Sequence, residues 1–188
     1  MHSPFPPNAK RVFQGKIFDV YQWEQKLFDG TTATFEKLHR VNTSEAIAVV
    51  GDKFMLQRQT QPHMKEEFIC FPGGMCHTFD EDPLVAAKRE LLEESGFVSN
   101  DWVVLGKHTP FSKIAWTIYT HIARDCVETQ KPHLDSGEKI ETFLVSFDEL
   151  LDIVEQPNFR NQHHVPAFLK MRIYPDRKKE FLSLAFGK

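Results

Sequence analysis

The apolar pattern of this chain predicts an α/β protein with a mixed sheet between helices, preceded by an N-terminal β-arm. Three observations carry the prediction. Short alternating apolar runs recur from residue 17 to residue 59, broken by Asp29-Gly30 and Gly51-Asp52, which are hairpin turn signals. One sharply bounded helix follows, between Asp82 and Gly96. Strand-like and helical segments then continue to the C-terminus, so helices fall on both sides of the strands. The 188 residues, 41% of them hydrophobic, are enough for one domain with a sizeable core.

Taken in order, residues 1–11 read as a loose leader. They carry Pro4, Pro6 and Pro7 and no apolar h-region, so they are not a secretory signal. Residues 12–40 read as the β-arm of the same domain, with strands at 17–28 and 31–39 around Asp29-Gly30. The main domain, residues 41–188, opens with a hairpin of strands at 46–50 and 53–59. A short strand at 67–71 leads into Phe71-Pro72-Gly73-Gly74, a loop whose glycines let backbone approach a ligand. Strands are expected at 102–106 and 113–123, the second with Ile114, Trp116 and Ile118 on one face and Tyr119 on the other. A strand at 140–145 and helices at 147–154 and 164–171 follow, with Pro166 tolerable in a first turn. The charged run 176–179 reads as a solvated C-terminal face or tail.

The bounded helix carries the chemistry. Asp82-Pro83 supplies an N-cap and a proline at the first helical position, and Gly96 a left-handed stop. Leu84, Ala87 and Leu91 make an apolar face. Glu90, Glu93 and Glu94 are three or four residues apart and share another face, where like charges oppose each other by roughly 0.2–0.5 kcal/mol per pair. A carboxylate cluster that works against its own helix suits a hard divalent cation, Mg²⁺ or Mn²⁺, with substrate phosphates completing the shell.

Other function classes are excluded or weakened. Lys and Arg number 23 against 26 Asp and Glu, a net charge of −3, which gives no electrostatic case for nucleic acid or membrane surfaces. No apolar run approaches the ~20 residues that span a bilayer. Cys70, Cys76 and Cys126 form no disulfide framework and suit a reducing cytoplasm. The spacing of Cys70, Cys76 and His77 matches no standard zinc pattern. His163-His164 reads as surface, not as a ligand pair.

From Glu81 through Arg89-Glu90-Leu91-Leu92-Glu93-Glu94-Ser95-Gly96-Phe97, the chain resembles the signature of the Nudix hydrolases, with fixed glycine, arginine and glutamate positions in register. One departure precedes it. Gly74 to Glu81 leaves six intervening residues where the family has five, so either the loop is one residue longer or Met75 stands in for the glycine. The resemblance implies an α/β/α sandwich and a metal-dependent enzyme that splits a diphosphate linked to another moiety. It implies Glu90, Glu93 and Glu94 as metal ligands, with a backbone carbonyl from Gly73. Arg89 is expected to orient the acids by ion pairing, with Glu81 as its partner.

The run from Met55 to Pro62, the glycine loop and the preceding arm are similar to the ADP-ribose pyrophosphatase group. That similarity implies a homodimer whose arms exchange, with Tyr21, Trp23 and Phe28 as candidates to stack on a base. It also implies contacts from Arg58 and Gln61 to substrate. The loop from Asp135 to Glu141 is similar to one that carries a catalytic glutamate, with Glu138 the first choice as general base and Glu141 the second. Gln61 stands where the group usually has arginine, and Cys70 where it has an acid. These departures bear on ADP-ribose as the substrate and leave the metal site untouched. The expected function is hydrolysis of ADP-ribose or another nucleoside diphosphate sugar, a nucleotide-type small molecule. The alternatives are a house-cleaning nucleoside triphosphate pyrophosphohydrolase and a non-catalytic ligand sensor, the latter disfavoured by retention of all three box acids.

Overall fold

The computed structural model describes residues 4–187, so residues 1–3 of the expected leader lie outside the described residues. The arm is a sheet of its own. β1 (Lys10–Gln14) pairs antiparallel with β2 (Asp19–Lys26), and β2 with β3 (Thr32–His39). Lys10 and Arg11, expected in the leader, are already strand, because the ladder sets them opposite Gln22 and Tyr21. The β2–β3 turn rests on Asp29, whose Oδ1 accepts from the Thr31 backbone at 2.9 Å and its hydroxyl at 2.7 Å. Gly30 supplies the positive φ of 89°.

The main domain runs through β4 (Thr43–Val50), β5 (Lys53–Thr60), β6 (Phe68–Cys70) and β7 (Gly73–Met75) into α1 (Pro83–Ser95). Then come β8 (Phe97–Val98), β9 (Asp101–His108), β10 (Ile114–Ala115), β11 (Ile118–Arg124), β12 (Val127–Glu128) and β13 (Lys139–Val145). α2 (Phe147–Ile153), a 3₁₀ turn (Gln162–His164), α3 (Val165–Ile173) and α4 (Pro175–Phe186) end the chain. The central sheet has the order β13-β5-β4-β11-β9, with β6 beside β5 and β7 beside β4. Its β4–β11 pair is parallel and the others are antiparallel, so the sheet is mixed.

Alternation along β4 divides the core. Ile47 and Val49 join Phe54, Leu56 and Ile122 against Phe147, Leu150, Phe168 and Phe181 of the C-terminal helices. Ala48 turns the other way, to Leu91 of α1 with Met55 and Ala123. Helices therefore cover both faces, as the sequence pattern predicts, and β4 is buried on both.

One expectation is corrected and another narrowed. The run 113–123 is not one strand. β10 pairs with β3 in the arm sheet, while β11 pairs with β4 and β9 in the central sheet. The chain changes sheets at Trp116-Thr117, where Thr117 donates to Asn42 Oδ1 at 3.0 Å and Arg40 lies 4.5 Å from the Trp116 ring centre. Ile114 and Ile118 therefore share no sheet face. Of the two readings of the charged run 176–179, face or tail, the face holds. It is the solvated side of α4, which buries Phe181 and Ala185, four apart, on its other side.

Candidate active site

The local chemistry of α1 fixes its position. Asp82 Oδ1 accepts from Leu84 N–H at 2.8 Å, Pro83 opens the first turn, and Gly96 (φ 77°) closes the last with its N–H on the Leu92 carbonyl at 2.8 Å. Between β6 and α1, the glycine loop is pressed between β4 and the acids. Gly73 (φ 151°) lies opposite Glu45 in the ladder, and a Cβ there would sit 2.5 Å from the Ser44 carbonyl oxygen. A Cβ on Gly74 would sit 2.6 Å from the Glu90 carboxyl carbon. Only backbone without side chains fits here. Met75 continues the strand with no positive φ, so nothing in its conformation requires glycine.

The three box acids, which spacing sets on one face of α1, differ in exposure. Glu94 is buried, at 5% exposure, and its Oε2 accepts from Gly73 N–H at 2.9 Å. Glu90 is largely covered and Glu93 is half exposed. The cause is geometric. The glycine loop and β4 close over the side of α1 that carries Glu94, while Glu93, one position back, turns outward. Burial pushes the Glu94 carboxyl up to about 8, with the charges of Glu90 and Glu138 adding to the effect. Burial also raises Glu90, against the pull of Arg89.

Arg89 ties the cluster together. Its guanidinium donates to Glu90 Oε1 at 2.7 Å, Glu93 Oε2 at 3.2 Å and the Met75 carbonyl at 3.1 Å, and lies 3.6 Å from Glu81. Burial works against its charge, but the bonds to Glu90 and Glu93 and the nearby Glu81 outweigh that and hold it above its ordinary value. Glu81 in turn accepts from the His77 backbone, bracing the turn before α1.

The remaining expected residues spread outward. Glu138 is exposed in the turn before β13, accepts from Asp135 N–H at 3.3 Å, and is close enough for its charge to raise both Glu90 and Glu94. With Gln61, Thr60 and Lys139 it lines an open cleft of about 400 Å³. Glu141 instead pairs with Arg58 across β13–β5 at 3.0 Å, and Arg58 also holds Glu67 at 3.0 Å. In the arm, Tyr21 stacks on Phe5 with ring centres 4.1 Å apart, and Trp23 lies beside Phe35 with its Nε1 donating to Gln25 at 3.0 Å. Phe28 is fully exposed at the hairpin tip. Two of the three arm aromatics thus already have ring partners within the chain. A larger cavity, about 760 Å³, lies between Met64 and Leu169 and is lined by none of the expected residues.

The donor set fits a hard divalent cation. Glu94 is buried and Glu90 largely covered, and the guanidinium bonded to the cluster reaches Glu90 and Glu93 but no Glu94 oxygen. A cation there would favour the charged form of both, against the burial that disfavours it.

The sequence missed a second polar cluster. His163 and His164, expected at the surface, are enclosed, with their side chains 11% exposed. Both turn Nε2 to Glu45 Oε1, at 2.9 and 2.5 Å. Glu45, 3% exposed, also accepts from Thr120 Oγ1 at 2.7 Å and Asn161 Nδ2 at 2.5 Å. The pairs are separated by 118 and 119 residues, so spacing cannot find them. The one local signal is a glutamate directly preceding the apolar run Ala46–Val50 of a central strand.

Comparison with known proteins bears on this arrangement. The family model described as the NUDIX domain matches residues 41–167. ADP compounds hydrolase NudE of Escherichia coli is 21% identical over 174 residues, covering 92% of this chain and 93% of that protein. A probable nudix hydrolase of Schizosaccharomyces pombe is 31% identical over 126 residues, covering 64% of this chain and 42% of that protein. The methanol dehydrogenase activator of Bacillus methanolicus is 22% identical over 163 residues, covering 85% and 87%. A crystal structure of an ADP compounds hydrolase superposes with a TM-score of 0.71 at 23% identity, covering 88% of this chain and 90% of that one, and shares the fold.

Proposed function

The chain belongs to the Nudix family and is a hydrolase of phosphoanhydride bonds, and from that premise we propose that it cleaves a nucleoside diphosphate linked to a second moiety. ADP-ribose or a related nucleoside diphosphate sugar is the substrate class, and a nucleoside monophosphate and a sugar phosphate are the products. The observation that carries the proposal is the buried Glu94 and the largely covered Glu90 beneath the glycine loop, where Gly73 N–H holds Glu94 and Glu90 occupies the side-chain space of Gly74. The names of similar proteins, two of them ADP compounds hydrolases, support the adenosine diphosphate class.

In this reading Glu90, Glu93 and Glu94 hold Mg²⁺ or Mn²⁺, with the Gly73 carbonyl as a further ligand. When bound, the cation neutralises the diphosphate and lowers the pKa of a coordinated water. Gly73 N–H holds Glu94 in place, and Arg89 holds Glu90 and Glu93 while tying them to the loop at Met75. Glu138, exposed at the rim of a cleft it shares with Gln61, is the general base that takes the proton from the attacking water. Glu141 is less suited, because Arg58 holds its carboxylate. Phe28 at the arm tip is free to meet a base or a second copy of the chain, and exposed Val12, Phe13 and Ile17 give the arm an apolar surface suited to a homodimer. Three free, buried cysteines suit the cytoplasm. No helix of the described residues is long and apolar enough to cross a membrane.

The test is turnover by purified protein with Mg²⁺ on ADP-ribose, other nucleoside diphosphate sugars, dinucleotides and nucleoside triphosphates, with Glu94→Gln as control. Selective cleavage of a diphosphate-linked compound, lost in the variant, supports the proposal. Preference for triphosphates, or no turnover of any compound, refutes it.

A further inference from the structure

Glu45, His163 and His164 sit outside the machinery just described. Glu45 points from β4 toward the 3₁₀ turn and α3, on the face opposite α1. Its carboxylate is buried, and a buried charge needs compensation. Among the described residues no lysine or arginine lies within ion-pair distance of it; its partners are two imidazoles, an amide and a hydroxyl. The imidazole rings have centres 4.0 Å apart and aim the same nitrogen, Nε2, at the same oxygen.

We propose that Glu45, His163 and His164 form a second cation site, a His₂-carboxylate site that takes Zn²⁺. Their ligand atoms all lie within 4.8 Å of one another, and they are the one group of this kind among the described residues. A tetrahedral zinc with bonds of about 2.0–2.2 Å sets its ligand atoms about 3.4 Å apart. From the present contacts of 2.9 and 2.5 Å, the two imidazole nitrogens would draw back from Glu45 Oε1 by about 0.5 and 0.9 Å to meet that spacing. The two nitrogens and one carboxylate oxygen are the borderline-soft set zinc prefers over Mg²⁺, so the site is chemically distinct from the all-oxygen box. Thr120 Oγ1, 3.3 Å from His164 Nε2 and 2.7 Å from Glu45 Oε1, braces the ligands from β11. His108 stacks on the outer ring with centres 5.1 Å apart, orienting His163. Asn161 adds a structural link. Its Nδ2 holds Glu45 while its Oδ1 accepts from Phe71 N–H at 2.9 Å, so a cation here fastens the 3₁₀ turn to the strand that leads into the glycine loop.

The experiment strips the full-length protein with a chelator, dialyses it against Zn²⁺ in the presence of excess Mg²⁺, and measures bound zinc by mass spectrometry. One zinc per chain is expected in the wild type and in Glu93→Gln, with at least a tenfold loss of affinity in His163→Ala. Proton NMR of the Co²⁺-substituted wild type should show two exchangeable, hyperfine-shifted imidazole N–H signals, which an all-carboxylate site cannot give. Circular dichroism checks that His163→Ala folds, and if it does not, the wild-type NMR decides alone. No zinc on the wild type, zinc lost in Glu93→Gln but kept in His163→Ala, or no imidazole signals would overturn the proposal and leave a buried hydrogen-bonded cluster.

Discussion

Replacing Glu94 with glutamine should make the metal-free protein more stable at neutral and alkaline pH. The folded chain holds this carboxyl near 8 against an ordinary value of 4.5, because burial disfavours the charge. The sign follows from linkage. A group whose pKa is raised on folding contributes stability that is fully present below about pH 4.5 and lost as pH rises to about 8. At 1.36 kcal/mol per pH unit, the total across that window is about 5 kcal/mol, and on the order of 3 kcal/mol has gone by pH 7. Glutamine keeps an oxygen for Gly73 N–H and carries no charge to desolvate. In EDTA at pH 7–8, Glu94→Gln should therefore melt roughly 6–12 °C above wild type for a chain of this length, and the two should converge near pH 5. Calorimetric or fluorescence melts between pH 5 and 8.5 supply the measurement. Adding Mg²⁺ should narrow the gap, since the cation stabilises the wild-type carboxylate and has less to bind in the variant. Parallel melting curves for the two proteins across this pH range would refute the reasoning.

Arg89→Ala should leave Glu90 and Glu93 unbraced and lower kcat by about 10–100-fold, the usual cost of losing a residue that orients ligands, with a parallel weakening in a Mn²⁺ titration. Glu138→Gln should lower kcat by about 10²–10⁴-fold while Mn²⁺ affinity stays within about twofold; unchanged kcat would remove Glu138 as the base. Gly74→Ala should weaken metal binding with little change in melting temperature, because its methyl meets the movable end of Glu90. Gly73→Ala should destabilise the fold outright, since its methyl meets the Ser44–Glu45 backbone. Similar melting temperatures for the two alanine variants would contradict this distinction.

The sequence by itself determined the parts of this protein whose cause is local. The cap at Asp82, the proline after it and the stop at Gly96 delimit α1 through bonds within four residues, so the pattern carried them. Asp29-Gly30 fixed the arm hairpin for the same reason, and the register of Arg89, Glu90, Glu93 and Glu94 marked the box. Tertiary structure decided what depends on which surfaces meet. Spacing put the three acids on one face, yet the glycine loop and β4 close over Glu94 and most of Glu90 and leave Glu93 half in solvent. Period 2 described residues 113–123 as one strand, although two different sheets compete for its halves and divide it at Trp116. The charged run 176–179 hid a helix whose burial rests on Phe181 and Ala185, beyond the run itself. The Glu45–His163–His164 cluster joins strand and turn across more than a hundred residues, a contact set by the packing of α3 onto the sheet and written in no local pattern.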